Sequence, residues 1–287
     1  MVAVDTEPIP AASRAAGAAG AAGAASILAS LETGRAASAA KPLREVGGFF
    51  ALSLDTLVQM FRPPFAWREF IHQAWFVARV SMLPAVFLSI PFNALAIFII
   101  NILLVEIGAA DASGAGSALA AVVYIGPIAA VLVVAGTSAT AMCADLGARA
   151  IREEVDAMRV MGINPVQRLL VPRVLAIGLN GFLVNSIITV VGLVASYLFS
   201  VYLQHVNPGS YAASLTLLVG LSELVIAFAK AMLFGFIAGL IACYKGTTVG
   251  GGPQGVGNAV NETVVYTFLA LFVINVVLTA ITNKATM

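Results

Sequence analysis

The chain has 287 residues, of which 60% are hydrophobic and only 10% are charged, and its formal net charge is +1. So little charge cannot cover the surface of a soluble domain of this size, so the composition indicates an integral membrane protein. The small net charge also argues against a nucleic-acid partner, because phosphate binding requires a basic face.

The segment before the first long apolar run divides into two parts. Residues 1–40 are rich in Ala and Gly and of low complexity, which predicts a disordered cytoplasmic tail. Residues 41–80 combine Phe and Leu at helical spacing with arginines and with Trp67 and Trp75. This pattern predicts amphipathic helices lying in the membrane interface, interrupted by the proline pair that begins at Pro63. A sixth, irregular span is the alternative, and the cost of placing these charges in lipid disfavours it.

Residues 81–287 contain five apolar runs, each long enough to cross about 30 Å of hydrocarbon. The sequence therefore predicts an all-α integral membrane protein with an N-terminal interfacial helix, five transmembrane helices and a short cytoplasmic coupling helix. The predicted spans are residues 82–105, 118–144, 174–203, 214–243 and 263–282.

The basic residues predict the orientation of these spans. Of the 15 Lys and Arg residues, seven precede the first span, five lie in residues 145–173 and one lies in residues 244–262. Neither of the other two loops contains a basic residue. By the positive-inside rule the N-terminus is cytoplasmic and the C-terminus lies on the opposite side of the membrane.

The connection after the second span is unusually charged, with three carboxylates and four arginines between residues 151 and 174. From Ile151 to Gly162 the spacing predicts a single amphipathic helix with Ile151, Val155 and Met158 on one face. The charged residues Arg152, Asp156 and Arg159 line another face of that helix, at spacings that allow ion pairs.

The residues that follow predict how the next helix begins. Asn164, Pro165 and Gln167 fit the N-cap, first and third positions of a helix. The whole connection, about residues 151–163, has two interpretations. It is either a solvated loop whose arginines set the topology or a coupling helix that transmits movement from a separate subunit that supplies the energy. The candidate coupling residues are Ile151, Arg152, Glu153, Glu154, Val155, Asp156, Met158 and Arg159.

The fourth span has two further features. A ridge of small residues (Ala227, Ala231, Gly235, Gly239) permits close helix packing, either within the chain or between subunits. Glu223 and Lys230 are charges in an apolar segment, so both are expected to point into the helix bundle or a lipid cavity rather than into lipid. Lys230 is a candidate partner for a lipid headgroup, and structural pairing with other helices is the alternative.

The sequence lacks the patterns of a catalytic chain. No phosphate-binding G-x-x-x-x-G-K-[ST] motif occurs. His72 and His205 are predicted on opposite sides of the membrane, which disfavours a metal site. Cys143 and Cys243 are predicted to be buried small hydrophobes. We therefore expect no enzyme activity, metal or bound cofactor in this chain.

One motif resembles a known family. The stretch REEVDAMRVMGINPVQRLLVPRVLA is similar to the EExDAL signature of the MlaE/YrbE permeases, the membrane subunits of Mce-type lipid ABC transporters. Met158 stands where Leu is usual in that signature. The matching residues are Glu153, Glu154, Asp156, Ala157, Gly162, Pro165, Leu169, Pro172 and Arg173.

Other short stretches extend the resemblance from about Val46 to the C-terminus. They are VGGFF, WREF, SIPF, GAADxSGxG, VLVVAG, CADLGARxIREE, CYKG and GNAVNETVV. The last few are similar to the A-type YrbE subunit of actinobacteria.

The resemblance implies a multi-pass permease subunit in the plasma (inner) membrane. It implies pairing with a second YrbE-type permease subunit, two copies of a cytoplasmic ABC ATPase that holds ATP and Mg, and periplasmic Mce proteins that form a lipid tunnel. The implied substrate is a fatty acid, a mycolic-type lipid or a sterol, and the implied direction is import. A secondary transporter of a hydrophobic substrate, coupled to ions through Glu223 and Lys230, is the alternative function.

Overall fold

The computed structural model describes residues 44–63 and 65–286, so the predicted tail over residues 1–40 lies outside the described part of the chain. Within that part the chain forms helices and turns without any strand. Residues Ser53–Met287 form one compact unit, and every contact described below lies inside it.

Eight helices follow one another along the described chain. Five of them (α2, α3, α5, α7 and α8) are long and apolar enough to cross a membrane, which confirms the prediction of an all-α membrane protein with five spans. The helices are α1 (residues 44–60), α2 (Trp67–Glu106), α3 (Ser113–Ile151), α4 (Glu154–Val160), α5 (Val166–Leu203), α6 (Pro208–Ser214), α7 (Leu221–Thr247) and α8 (Gly252–Thr286).

The helix that contains the first span begins earlier than predicted. Helix α2 starts at Trp67 and continues without interruption, so residues 67–80 belong to the same helix as the span. Gln73, Val77 and Ser81 are buried at a spacing of four residues. The helical pattern in this segment therefore reflects packing against the protein core. A helix in the membrane interface has apolar residues at the same period, so the sequence pattern does not distinguish the two locations.

The helix that contains the fourth span begins later than predicted. Residues Pro208–Ser214 form the separate helix α6, in which the side chain of Asn207 accepts a hydrogen bond from the backbone N–H of Gly209. Helix α7 then begins at Leu221, after Gly220 in an extended conformation. The apolar residues LTLLV at positions 215–219, between these helices, made the predicted span begin at residue 214.

The predicted helix from Ile151 to Gly162 is wrong in its boundaries. Helix α3 continues to Ile151, and the shorter helix α4 covers only Glu154–Val160. Between them Glu153 adopts a left-handed backbone conformation with φ of 58°. Such a conformation costs a non-glycine residue roughly 1–2 kcal/mol and gives no signal in the sequence, because glycine is the residue that usually marks it.

The long helices pack around α5 and α7. Helix α5 contacts both α2 and α7, and α7 also contacts α3 and α8. Small and β-branched side chains fill the space where α2, α3 and α5 meet, among them Ala85, Ala130 and Val184. At the same junction the side chain of Asn180 on α5 bonds to serines on α2 and α3, as expected for polar side chains between membrane helices.

Prolines coincide with irregular turns in two of the spans. A π-helical segment, Leu119–Ile125, precedes Pro127 in α3, and a second one, Val166–Leu170, precedes Pro172 in α5. Proline has no N–H to donate and its ring clashes with the preceding turn, so the hydrogen-bond register changes there. The second segment lies directly after α4, so an irregular turn separates α4 from the regular part of α5.

Candidate functional site

Helix α4 lies at one end of the bundle and exposes most of its charges. The side chains of Asp156 and Arg159 are 68% and 64% exposed and form an ion pair of 2.9 Å. Glu153 is exposed and makes no ion pair with any residue that the structure describes. Helix α4 therefore presents carboxylates to the outside, as the sequence predicts, although the helix is shorter.

The apolar part of this surface differs from the predicted one. Val155 is buried against the protein itself, so it is not available to a partner. The end of α4 and the turn after it instead expose Val160, Met161 and Ile163, with Val160 89% exposed. Ile151, at the end of α3, is also partly exposed. The break at Glu153 rotates α4 relative to the single predicted helix, which moves the apolar edge toward the C-terminal end of α4.

A buried arginine joins three helices directly behind α4. Arg173, near the start of α5, is completely buried. Its Nη2 lies 2.6 Å from Oδ2 of Asp145 on α3, and its Nη1 lies 3.5 Å from Oε1 of Glu69 on α2. Nη1 also donates a hydrogen bond to the carbonyl of Leu169. A buried charge is stable only when it is paired and hydrogen-bonded, and these contacts provide both.

The ion pairs continue from Asp145 to α4. Arg149 contacts the same Asp145 carboxylate at 3.3 Å and reaches Glu154 at 3.8 Å. Glu154 is held a second time by Arg152 at 2.9 Å. A continuous chain of charges thus leads from the first residue of α4 to the core of the bundle. We call these residues the relay: Glu154, Arg152, Arg149, Asp145, Arg173 and Glu69.

The turn after α4 is fixed by a second set of hydrogen bonds. Oδ1 of Asn164 accepts from the N–H of Val166, which agrees with the predicted capping role of this residue. Nδ2 of Asn164 donates to the side chain of Gln59 near the end of α1, and Gln167 donates to the carbonyl of Arg62. Both ends of α4 are therefore tied to the rest of the chain.

Glu223 does not lie where the sequence predicts. It occupies the first turn of α7, where its carboxylate accepts hydrogen bonds from the N–H of Gly220 and the hydroxyl of Ser222, each at 2.9 Å. An acidic side chain is favourable at the N-terminus of a helix, so this contact explains Glu223 without a role in the bundle. The correction follows from the later start of α7.

Lys230 lies inside the protein and is only 6% exposed. Its Nζ is 3.3 Å from Oγ1 of Thr279 on α8. Thr279 also lines a surface cavity of about 300 Å³ between α3 and α8, together with Tyr124 and Asn275. The Oδ1 atom of Asn275 is buried and has no hydrogen-bond partner within the described residues. The cavity is open to the surface, and its lining is apolar apart from the polar groups of Tyr124, Asn275 and Thr279.

The small-residue ridge of α7 packs within the chain. A Cβ atom added to Gly235 would collide with the carbonyl of Ile177 and lie 2.8 Å from Cα of Gly178 on α5. A Cβ atom at Gly239 would lie 3.1 Å from Cα of Val174. Because Ala231 is completely buried as well, a contact between α7 and α5 accounts for the ridge.

Sequence reasoning missed the relay. Arg173 and Asp145 lie within the quoted motifs, but nothing in the sequence pairs them, because they are 28 residues apart and on different helices. One signal was present. Arg173 follows Pro172 at the start of an apolar run, and an arginine that enters such a run needs an anionic partner inside the protein.

Comparison with known proteins agrees with this architecture. Residues 70–281 match the family described as permease MlaE. A probable ABC transporter permease protein of Rickettsia bellii is 28% identical over 249 residues, which are 84% of this chain and 93% of that protein.

Two further relatives come from a cyanobacterium and a plant. A probable ABC transporter permease protein of Synechocystis is 30% identical over 58% of this chain and 64% of its own length. The Arabidopsis thaliana chloroplastic protein trigalactosyldiacylglycerol 1 is 30% identical over 54% of this chain and 45% of its own length. The family match covers all five membrane-spanning helices in whole or large part. The chain therefore belongs to the MlaE permease family and is a permease subunit of an ABC transporter.

Proposed function

We propose that this chain is the permease subunit of a Mce-type transporter that imports a lipid across the plasma (inner) membrane. Its partners are a second YrbE-type permease subunit, two copies of a cytoplasmic ABC ATPase that binds ATP and Mg, and periplasmic Mce proteins. In this arrangement α4 is the coupling helix and faces the cytoplasm, in keeping with the distribution of arginines.

The connection between α4 and the relay carries this proposal. Helix α4 has only seven residues, too few for an isolated helix to be stable in water, so it depends on its attachments. It exposes carboxylates and Val160 on one side and is joined to the bundle through Glu154 on the other. A partner that grips the exposed side can therefore move α2, α3 and α5 through charged contacts.

Two observations support a lipid as the substrate. The name of the Arabidopsis relative refers to a glycerolipid. The cavity beside Thr279 is lined mainly by apolar side chains, and the ammonium group of Lys230 contacts Thr279 at the polar edge of this cavity. An ammonium group in that position suits a carboxylate or phosphate headgroup, while the apolar walls suit an acyl chain.

The test removes the exposed carboxylates without touching the relay. Glu153→Lys with Asp156→Lys reverses one exposed charge directly before α4 and one on it, and Glu106→Lys with Asp111→Lys makes the same change of charge at the opposite end of the spans as a control. Co-purification of the ATPase and ATP-dependent lipid uptake by proteoliposomes are then measured. We expect the first variant to lose binding and transport by tenfold or more, since interfacial charge contacts typically contribute about 2–5 kcal/mol. Retention of the ATPase at wild-type stoichiometry with unchanged transport would rule out this role for α4.

The ion-coupled alternative has lost one of the charges on which it depended. Glu223 caps the first turn of α7, and of the two predicted charges only Lys230 is buried in the middle of a spanning helix. The same proteoliposomes distinguish the two mechanisms. Uptake that requires an ion gradient and does not depend on ATP would favour the secondary transporter.

A further inference from the structure

One face of the N-terminal part of α2 carries an exposed row of basic and aromatic side chains. Arg68, His72, Trp75 and Arg79 are all exposed, with Trp75 at 70%. At about 100° per residue these four positions fall within about 60° of one another around the helix axis. We call them the basic stripe.

The orientation of the basic stripe is fixed by the opposite face of the same helix. Gln73 and Val77 point into the core, and Gln73 donates a hydrogen bond to Glu69. Glu69 in turn contacts Arg173. The one carboxylate in α2 before Glu106 therefore belongs to the relay, so it cannot neutralise the stripe. Neither arginine of the stripe forms an ion pair within the part of the chain that the structure describes.

Exposed apolar side chains flank the charges. Trp67 is 67% exposed and Ile71 is 63% exposed, and Ile71 lies one helical turn before Trp75. An indole combines an apolar ring with a polar N–H, and tryptophan is enriched where hydrocarbon meets headgroups for that reason. Water alone would suit the charges of this face but not its aromatic rings, whereas the headgroup layer suits both.

The length of α2 agrees with that location. Its 40 residues extend about 60 Å, which exceeds the 40–45 Å of a bilayer with its headgroup layers. Arg79 and Glu106 are 27 positions apart, about 40 Å along the helix, so these two charges can lie in the two opposite headgroup layers. A tilt of the helix would bring the rest of the basic stripe toward the same layer as Arg79.

We propose that the basic stripe binds anionic phospholipid headgroups in the leaflet that contains the N-terminal end of α2. A guanidinium group pairs with a phosphate through two parallel hydrogen bonds, and two arginines on one face can hold one or two lipids while Trp75, which lies between the arginines, contacts the headgroup layer. This lipid is bound from outside the bundle, separately from the cavity beside Thr279, and the inference does not depend on the proposed function.

The test uses the full chain, with any subunits that co-purify, in nanodiscs of phosphatidylcholine with increasing phosphatidylglycerol. The stripe variant is Arg68→Gln with His72→Gln and Arg79→Gln. The control, Arg62→Gln with Arg168→Gln, removes two exposed arginines that belong to neither the basic stripe nor the relay. Native mass spectrometry then gives the ratio of retained phosphatidylglycerol to retained phosphatidylcholine for each protein, and thermal melting in pure phosphatidylcholine shows whether each variant is folded.

We expect the preference for phosphatidylglycerol to fall about thirtyfold in the stripe variant, about fivefold for each arginine, and to persist in the control. An unchanged preference in a folded stripe variant would overturn the proposal. Loss of a co-purifying subunit with an unchanged lipid preference would also overturn it, because the stripe would then be a contact between subunits. If the stripe variant fails to fold, the variant Arg79→Lys is measured instead, because it retains the positive charge without the paired donors. We expect this variant to keep a weaker preference for phosphatidylglycerol. An unchanged or absent preference in this variant contradicts the role of the guanidinium.

Discussion

Two regions of α5, only a few turns apart, are held by different kinds of contact. Near its start Arg173 lies 2.6 Å from Asp145 and joins three helices through charge. Further along, a Cβ atom added to Gly181 would collide with the carbonyl of Ala231 on α7, and one added to Gly178 would collide with the ring of Phe236 on the same helix. Attraction between charges falls slowly with distance, whereas repulsion between packed atoms rises steeply. The first region can therefore change its geometry and remain bonded, and the second holds two helices in one arrangement.

This contrast fits the work of a transporter subunit. Under the proposed function, movement at α4 would reach the bundle through contacts that stretch and re-form, and the relay has this character. The close-packed junction of α5 and α7 would then move as one rigid unit.

The largest effect is expected at the close-packed junction. Gly235→Leu places a branched side chain against Ile177 and Gly178, where even a Cβ atom does not fit. Because the two backbones must separate, we expect the subunit to misfold or to lose its assembly. Gly136→Leu is the matched control in a neighbouring span, since nothing lies within 4 Å of a Cβ atom added there. Yield and monodispersity on size-exclusion chromatography measure both, and a normal elution profile for Gly235→Leu would contradict the close packing.

A smaller loss is expected from the relay. Asp145→Ala leaves Arg173 buried with only Glu69 and a carbonyl as partners. Breaking a buried pair typically costs about 3–5 kcal/mol, and since Asp145 itself is 31% exposed we expect about 2–4 kcal/mol. Denaturant or thermal unfolding in detergent measures the loss.

The double variant Asp145→Ala with Arg173→Met separates charge from packing. Replacing both partners by apolar groups removes the unpaired buried charge, so the double variant should be more stable than Asp145→Ala alone. Equal stabilities of the single and double variants would show that the cost arises from lost packing and not from the charge on Arg173.

The sequence predicts the fold well because membrane spans have a length that lipid dictates. Five apolar runs correspond to five helices, but their ends differ because helices continue past the hydrocarbon. Residues 67–80 extend the first span, and α3 continues to Ile151. Hydropathy reports where the lipid lies, and it contains no information on where the backbone stops being helical.

The candidate site is predictable only in part, because its geometry depends on the backbone conformation of one residue and on contacts between helices that are remote in sequence. The exposed charges of α4 follow from composition, since a connection so rich in charge has to leave the lipid. The apolar edge of α4 does not follow from composition. A single left-handed residue, Glu153, changes which side chains point outward and buries Val155. The partners of Arg173 come from helices that are remote in sequence, and a single sequence cannot pair them.

The smallest effect is expected in the turn after α4, where Asn164 has two separate functions. Its Oδ1 caps the N–H of Val166 and its Nδ2 donates to Gln59 on α1. Asn164→Ala removes both contacts, and loss of a cap typically costs about 1 kcal/mol. Asn164→Asp retains an acceptor for the cap and loses the amide donor, so we expect it to keep most of the thermal stability while protease cleavage near residues 55–62 increases. If Asn164→Asp is as unstable as Asn164→Ala, the contact with Gln59 and not the cap holds this turn. If both variants melt like wild type, α4 is fixed by the relay alone.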